Sequence, residues 1–242
     1  MNFPQDKIYQ FHVANLRAVE AGLERVSRTL RHAVASEDEH AIQTDLRLYA
    51  LLLAMWGECR LWKLLYEPAF SDADRALYRA ESGHLEKWKK VVEIAFRQHY
   101  GVPRASLSTV TLPHSAFARY TALIDLLSDE LSAIITLRNK LAHGQWIYTF
   151  NEQGESIAQA QMAALRNENA LTIQLKRGLI QYLIDTIHDL KVSKKTFERD
   201  FDEHFRAIEQ LRTQLTKKSY DKYAEKMTSR LKRGQVKRRP PS

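Results

Sequence analysis

Apolar residues recur at three- and four-residue spacing along almost the whole chain, the period of one helix face and not the two-residue alternation of a strand. Segments with this pattern cover roughly 4–34, 38–67, 71–81, 84–99, 115–143, 169–190 and 194–231. Pro68, Gly101, Pro103 and Pro113 fall between them. Ser71 and Ser115 stand where N-caps belong, and Gly101 and Gly144 where a left-handed C′ residue belongs. One stretch breaks the period. "QWIYTFNEQGESIAQA" (145–160) has a β-branched and aromatic run, a turn at Asn151 to Gly154, and a weaker alternating run, which predicts a short β-hairpin. The expected fold is all-α: a helical bundle with a short β-hairpin insertion after the helix that ends near 143.

Several kinds of chemistry drop out. The most apolar run without charge, Leu48 to Gly57, is about half the length of a bilayer-spanning helix. The segment "MNFPQDK" lacks signal-peptide architecture, so a cytoplasmic protein without membrane contact is expected. The single cysteine, Cys59, has no intrachain partner, and there is no Cys-x-x-Cys or His-x-x-x-His pair. No metal and no cofactor are expected. The eight glycines are too scattered for a phosphate-cradling loop or a dinucleotide fingerprint, and no Gly-x-Ser-x-Gly elbow occurs. The Asp72/Asp74 and Asp200/Asp202 pairs lie in helical stretches, where that spacing turns the carboxylates apart; both read as solvated helix charges.

Charge is uneven. From Lys217 onward ten Lys or Arg face two acids, so the whole net charge of +8 sits there and the rest is neutral. "RLKRGQVKRRPPS", with Arg238 and Arg239 near its end, is poor in apolar residues; it reads as a disordered segment attracted to a polyanion such as RNA, or as a solubilising tail.

The helix over 115–143 carries the densest chemistry. Its stripe runs through Phe117, Tyr120, Ile124, Leu127, Leu131 and Ile134, and the next position on that spacing is Arg138. A guanidinium cannot lose its proton, so on an apolar face it must meet a carboxylate, water or a bound anion. Asn139 and His143 are four apart and stack on the adjacent face, Ala142 is small, and Gly144 ends the helix. An imidazole here has both protonation states accessible near neutral pH, which suits proton transfer.

"RNKLAH" (138–143) resembles the HEPN superfamily, whose ribonucleases carry Arg, often a polar residue after it, and a His four to six residues further on. The Arg25/His32, Arg79/His84 and Arg199/His204 pairs share the spacing without that context. The first has no polar residue after its Arg, the second straddles Ser82-Gly83, and acids surround the third. The resemblance implies a helical domain over 38–215, preceded by a helix (1–37) packing on it and followed by a basic, largely disordered tail (216–242). It also implies a metal-independent endoribonuclease leaving 2′,3′-cyclic phosphate and 5′-hydroxyl ends. Arg138, Asn139 and His143 would be its catalytic residues, in a homodimer whose two motifs share one composite cleft. RNA would be the substrate. A toxin or antiviral defence component is implied, with an antitoxin or regulatory protein as partner. One HEPN variant has a tyrosine two positions after the His; here Gln145 stands there, and Tyr148 is too far along to match.

Lys140, Trp146 and Tyr148 are candidate RNA contacts beside the motif, with Arg238 and Arg239 in the tail. Each has a plainer alternative: solvent charge for Lys140, cross-strand packing for Trp146 and Tyr148. The competing reading of the chain is a non-catalytic dimerisation or RNA/protein-binding module, in which Arg138 pairs with Asp129 or Glu130 of another chain.

Overall fold

A computed structural model describes residues 4–102 and 105–238, with side chains as far as Arg233. Its elements are α1 (Gln5–Ser36), α2 (Glu39–Leu65), α3 (Asp72–Ala80), α4 (His84–His99), α5 (His114–Leu126), a π-helical turn (Leu127–Leu131), α6 (Ser132–Ala142), α7 (Gln159–Asn167), α8 (Ala170–Val192), α9 (Lys194–Lys217) and α10 (Tyr220–Arg238). α2 is central, packed between α1, α6 and α8, and α8 pairs with α9. Its buried residues, among them Leu46, Tyr49, Leu53, Trp56 and Leu61, surround much of its circumference, as expected of a helix enclosed by others. No helix among the described residues is long and apolar enough to cross a membrane.

The caps follow local chemistry. Ser71 accepts the Asp74 amide while Asp74 accepts the Ser71 amide, a reciprocal capping box for α3. α5 begins at His114 after Pro113, one residue ahead of Ser115. Gly101 and Gly144 adopt φ +66° and +75°, the left-handed conformation in which a Cβ is strained. Asp74, expected to be solvated, is buried and accepts from Gln98 at 3.0 and 2.9 Å.

Two expectations are overturned. No β-strand or hairpin exists among the described residues: the connection after α6 holds one isolated antiparallel bridge, Phe150 to Ile157. Two backbone bonds cross between the arms, Asn151 N–H to the Ser156 carbonyl and Ala158 N–H to the Thr149 carbonyl at 2.9 Å each, and side-chain bonds add to them in place of a longer ladder. The Asn151 side chain accepts the amides of Glu155 and Ser156 at 3.0 and 3.3 Å, and the buried Thr149 hydroxyl donates to the Ala158 carbonyl at 3.2 Å. The second arm then enters α7, where Ala, Gln and Leu favour helix. The chain from 216, expected to be largely disordered, is helical over Tyr220–Arg238. Tyr220, Tyr223, Ala224, Met227 and Leu231 form an apolar stripe at helical spacing that packs on the core, and α10 lies along α1. Burial of that stripe outweighs the poor overall hydrophobicity.

Candidate functional site

The motif lies at the end of a helix interrupted by a π turn, and that turn decides where Arg138 points. One extra residue rotates everything after it by about 100°. The buried line consequently runs Leu131, Ile134, Leu137 and Leu141, leaving Arg138 on its flank with a side chain 24% exposed. Arg138 does not continue the buried apolar face, as the unbroken spacing predicts.

An acid of its own chain meets it. Nη2 of Arg138 lies 3.1 and 3.2 Å from the two carboxylate oxygens of Glu58 on α2, and Nη1 donates to Oδ1 of Asn139 at 3.0 Å. Its Nε hydrogen and one Nη1 hydrogen have no acceptor among the described residues. Asp129 and Glu130, the acids suggested as Arg138 partners across an interface, engage Arg212 of the same chain instead, at 3.2 and 2.8 Å.

His143 is the residue that closes α6, exposed, with no hydrogen bond or ion pair to its ring among the described residues. The chain reverses there by a Schellman arrangement: Gly144 N–H donates to the Leu141 carbonyl (3.1 Å) and Gln145 N–H to the Lys140 carbonyl (3.0 Å). The Gln145 side chain, in the place of the HEPN variant's tyrosine, accepts the Phe150 amide at 2.8 Å and holds the connection folded.

Glu58 gathers a second imidazole. Nδ1 of His84, at the start of α4, is 3.6 Å from the same Glu58 oxygen that Arg138 approaches. One oxygen thus keeps the two nitrogens within about 7 Å of each other, near enough for a phosphate to touch both. Tyr78 is buried beside this cluster; burial, with Glu58 adding, pushes its phenol up to about 12, so it stays a neutral donor. Burial, then Glu58 and Glu20, also raise the Cys59 thiol, which is therefore not an activated nucleophile.

The remaining candidates separate. Lys140 donates to the Phe150 carbonyl and pins the connection, so it is not a free solvent charge. Trp146 is half-buried, its indole N–H held by the Leu141 carbonyl at 3.0 Å, and Tyr148 is 53% exposed; neither packs across strands. Arg238 is the last residue of α10, about 95 positions along the chain from the motif. Arg239 lies outside the described residues. Sequence spacing missed Glu58 and His84. Glu58 had a signal: it is the acid that follows the most apolar charge-free run in the chain. His84 had only the coincidental Arg79 spacing.

No group of three or more His, Cys, Asp or Glu among the described residues is arranged to hold a metal ion. Compared with known proteins, the chain matches no family model, no curated protein and no solved structure.

Proposed function

We propose that the chain is a metal-independent endoribonuclease of HEPN type, acting at the exposed end of α6. The observation that supports this best is an exposed imidazole at His143, without a partner among the described residues, at the same helix end as a guanidinium held by Glu58 and Asn139. The RNA's own 2′-oxygen would attack its phosphorus, the 5′-oxygen would leave, and a 2′,3′-cyclic phosphate would remain. His143 moves the proton, a contribution of about 10²- to 10⁴-fold for positioned transfer. Arg138 stabilises the charge that grows on the phosphoryl oxygens. Glu58 fixes the guanidinium's plane, and Asn139 holds its other edge.

Two proton transfers need two groups. The resemblance supplies the second from another copy of the motif in a shared cleft. The closeness of His84 to Arg138 favours a variation in which one chain supplies both imidazoles. Dilution separates them: a shared cleft loses specific activity as the protein is diluted, whereas a cleft within one chain does not, and then His84→Ala is as damaging as His143→Ala.

A second reading is favoured by the Arg138–Glu58 pair itself. An arginine already neutralised by its own chain needs no phosphate, and the pair ties α6 to α2 whatever the function. Purified protein with a chelator and single-stranded RNA decides between them. The enzyme yields cyclic phosphate ends and loses cutting with His143→Ala. Identical degradation by wild type and His143→Ala would end the enzymatic proposal. A cytoplasmic ribonuclease of this kind needs restraint in its cell, which by analogy fits a toxin or defence component with a controlling partner.

A further inference from the structure

Among the described residues, one buried cation has no acid bonded to it. Arg47 on α2 is 9% exposed. Its Nε donates to the Trp146 carbonyl at 3.2 Å and its Nη2 to the Gln43 side chain at 3.1 Å, both neutral acceptors. Nη1 has no hydrogen bond to the described residues. The acid that acts on it from a distance, Glu168, is itself held by Lys176 and Thr172. A permanent charge buried to this degree, with a donor left over, is completed by water or by an anion.

Arg47 opens into a groove of about 510 Å³ between α2, the connection after α6, and α7, well within the size range of small-molecule sites. Arg166 and His40 stand exposed on its rim, neither paired with an acid among the described residues, and no Asp or Glu lines it. The facing wall is Trp146, Ile147 and Tyr148, the last two 72% and 53% exposed. The bond from the Trp146 indole to Leu141 fixes that ring in place. A buried guanidinium, a cationic rim and two flat rings are the complement of a phosphate joined to a heteroaromatic base.

We propose that this groove binds a phosphorylated nucleoside, its phosphate on Arg47 and Arg166 and its base against Trp146 and Tyr148. Arg47 and Glu58 are eleven residues apart on α2, so they share a face about 16 Å apart. The segment from Arg138 to Trp146 runs between them, touching Glu58 at one end and Arg47 at the other. A single strand of roughly four nucleotides or more reaches from the groove to His143. That the nucleotide belongs to an RNA strand rests on the ribonuclease proposal; the groove itself does not.

The test reads binding by fluorescence anisotropy in the full-length His143→Ala protein, using a labelled single-stranded RNA about 12 nucleotides long, with adenosine 5′-monophosphate as competitor. Tyr148→Ala and Arg166→Glu are surface changes, checked for unaltered melting. Each weakens strand binding by about ten-fold, while Lys232→Glu on α10 leaves it unchanged. Competition by the mononucleotide identifies a free-nucleotide site; groove-dependent strand binding without competition identifies an RNA subsite. No binding of either probe, or strand binding sensitive to Lys232→Glu and indifferent to Tyr148→Ala and Arg166→Glu, overturns the groove. Wild-type cleavage indifferent to the groove changes removes the RNA subsite alone; groove-dependent binding by a wild type that never cuts removes the ribonuclease alone.

Discussion

Two polar regions of this molecule handle charge in opposite ways. Around α3, Arg75 is 4% exposed and donates to the carbonyls of Leu65 (3.1 Å) and Phe70 (2.8 Å), to Gln5 and to Asp72. Its neighbour Asp74 is saturated by Ser71 and Gln98, and Lys191 donates to Gln98. Both Nη groups of Arg75 and the Asp74 carboxylate close on their own chain. Along α2 and the end of α6, Arg47 and Arg138 keep donors without an acceptor among the described residues, and His143 is exposed with no such partner for its ring. A charged side chain that only holds a fold gives its hydrogen-bonding capacity to that fold; one kept for a ligand does not. The first region is architecture, and the second has the form of a site.

The largest test of that contrast sets activity against stability. His143→Ala removes cutting by about 10²- to 10⁴-fold and moves the melting temperature by less than about 1 °C. Arg75→Ala leaves two carbonyls unpaired and destabilises by about 3 kcal/mol, a fall of about 6–12 °C. Calorimetry that finds the two variants equally stable breaks the distinction.

Arg138→Lys keeps the charge near Glu58 but loses the planar fork. We expect about a hundred-fold loss of cleavage with melting almost unchanged, measured as initial rates under saturating RNA. An unaltered rate would reduce Arg138 to a strut between α6 and α2.

The closed region has its own signature in pH. Burial lowers Lys191 to about 8, with Asp74, 3.9 Å away, opposing. Between that value and the ordinary 10.5 the unfolded chain binds the extra proton, so this lysine makes stability rise with pH. The melting temperature of wild type relative to Lys191→Met should therefore climb by about 5 °C across this window. A flat difference would mean that the ammonium is solvated.

A smaller effect attends His188, where the hydrogen bond to Glu67 raises the imidazole against the opposing effect of burial. Its contribution is complete below the ordinary 6.5 and is lost as pH climbs through the raised folded value. Burial alone would raise Glu67, but bonds from His188 and Lys63 hold it lower, so its share is present above 4.5 and fades in acid. His188→Gln should cost about 1–2 °C at mildly acidic pH, discounted for the ring's partial exposure, and nothing in alkali. A penalty that instead grows with pH would refute the pairing.

Much of the helical fold could be read directly. Apolar residues at helical spacing marked the core faces of α1, α2, α4 and α8, and Gly144 marked the turn that exposes His143, because period and left-handed preference are local properties. The hairpin failed for the same reason: alternation around Asn151 is local evidence, but whether two arms zip depends on the bonds available to Thr149, Asn151 and Ala158 once folded. The basic stretch after 216 read as tail because composition cannot see α1, the surface that its stripe covers.

The chain alone determined that Arg138, Asn139 and His143 share one helix end, since a fixed rise and turn per residue leaves no freedom in that. Only packing decided what meets them. Glu58 is 80 residues away from Arg138 and Arg47 is 99 from Trp146; such pairings arise when α6 and the connection after it settle against α2. No short-range pattern encodes them, because the energy that brings them together is the burial of Leu137, Leu141 and their neighbours, which is indifferent to the charges carried alongside.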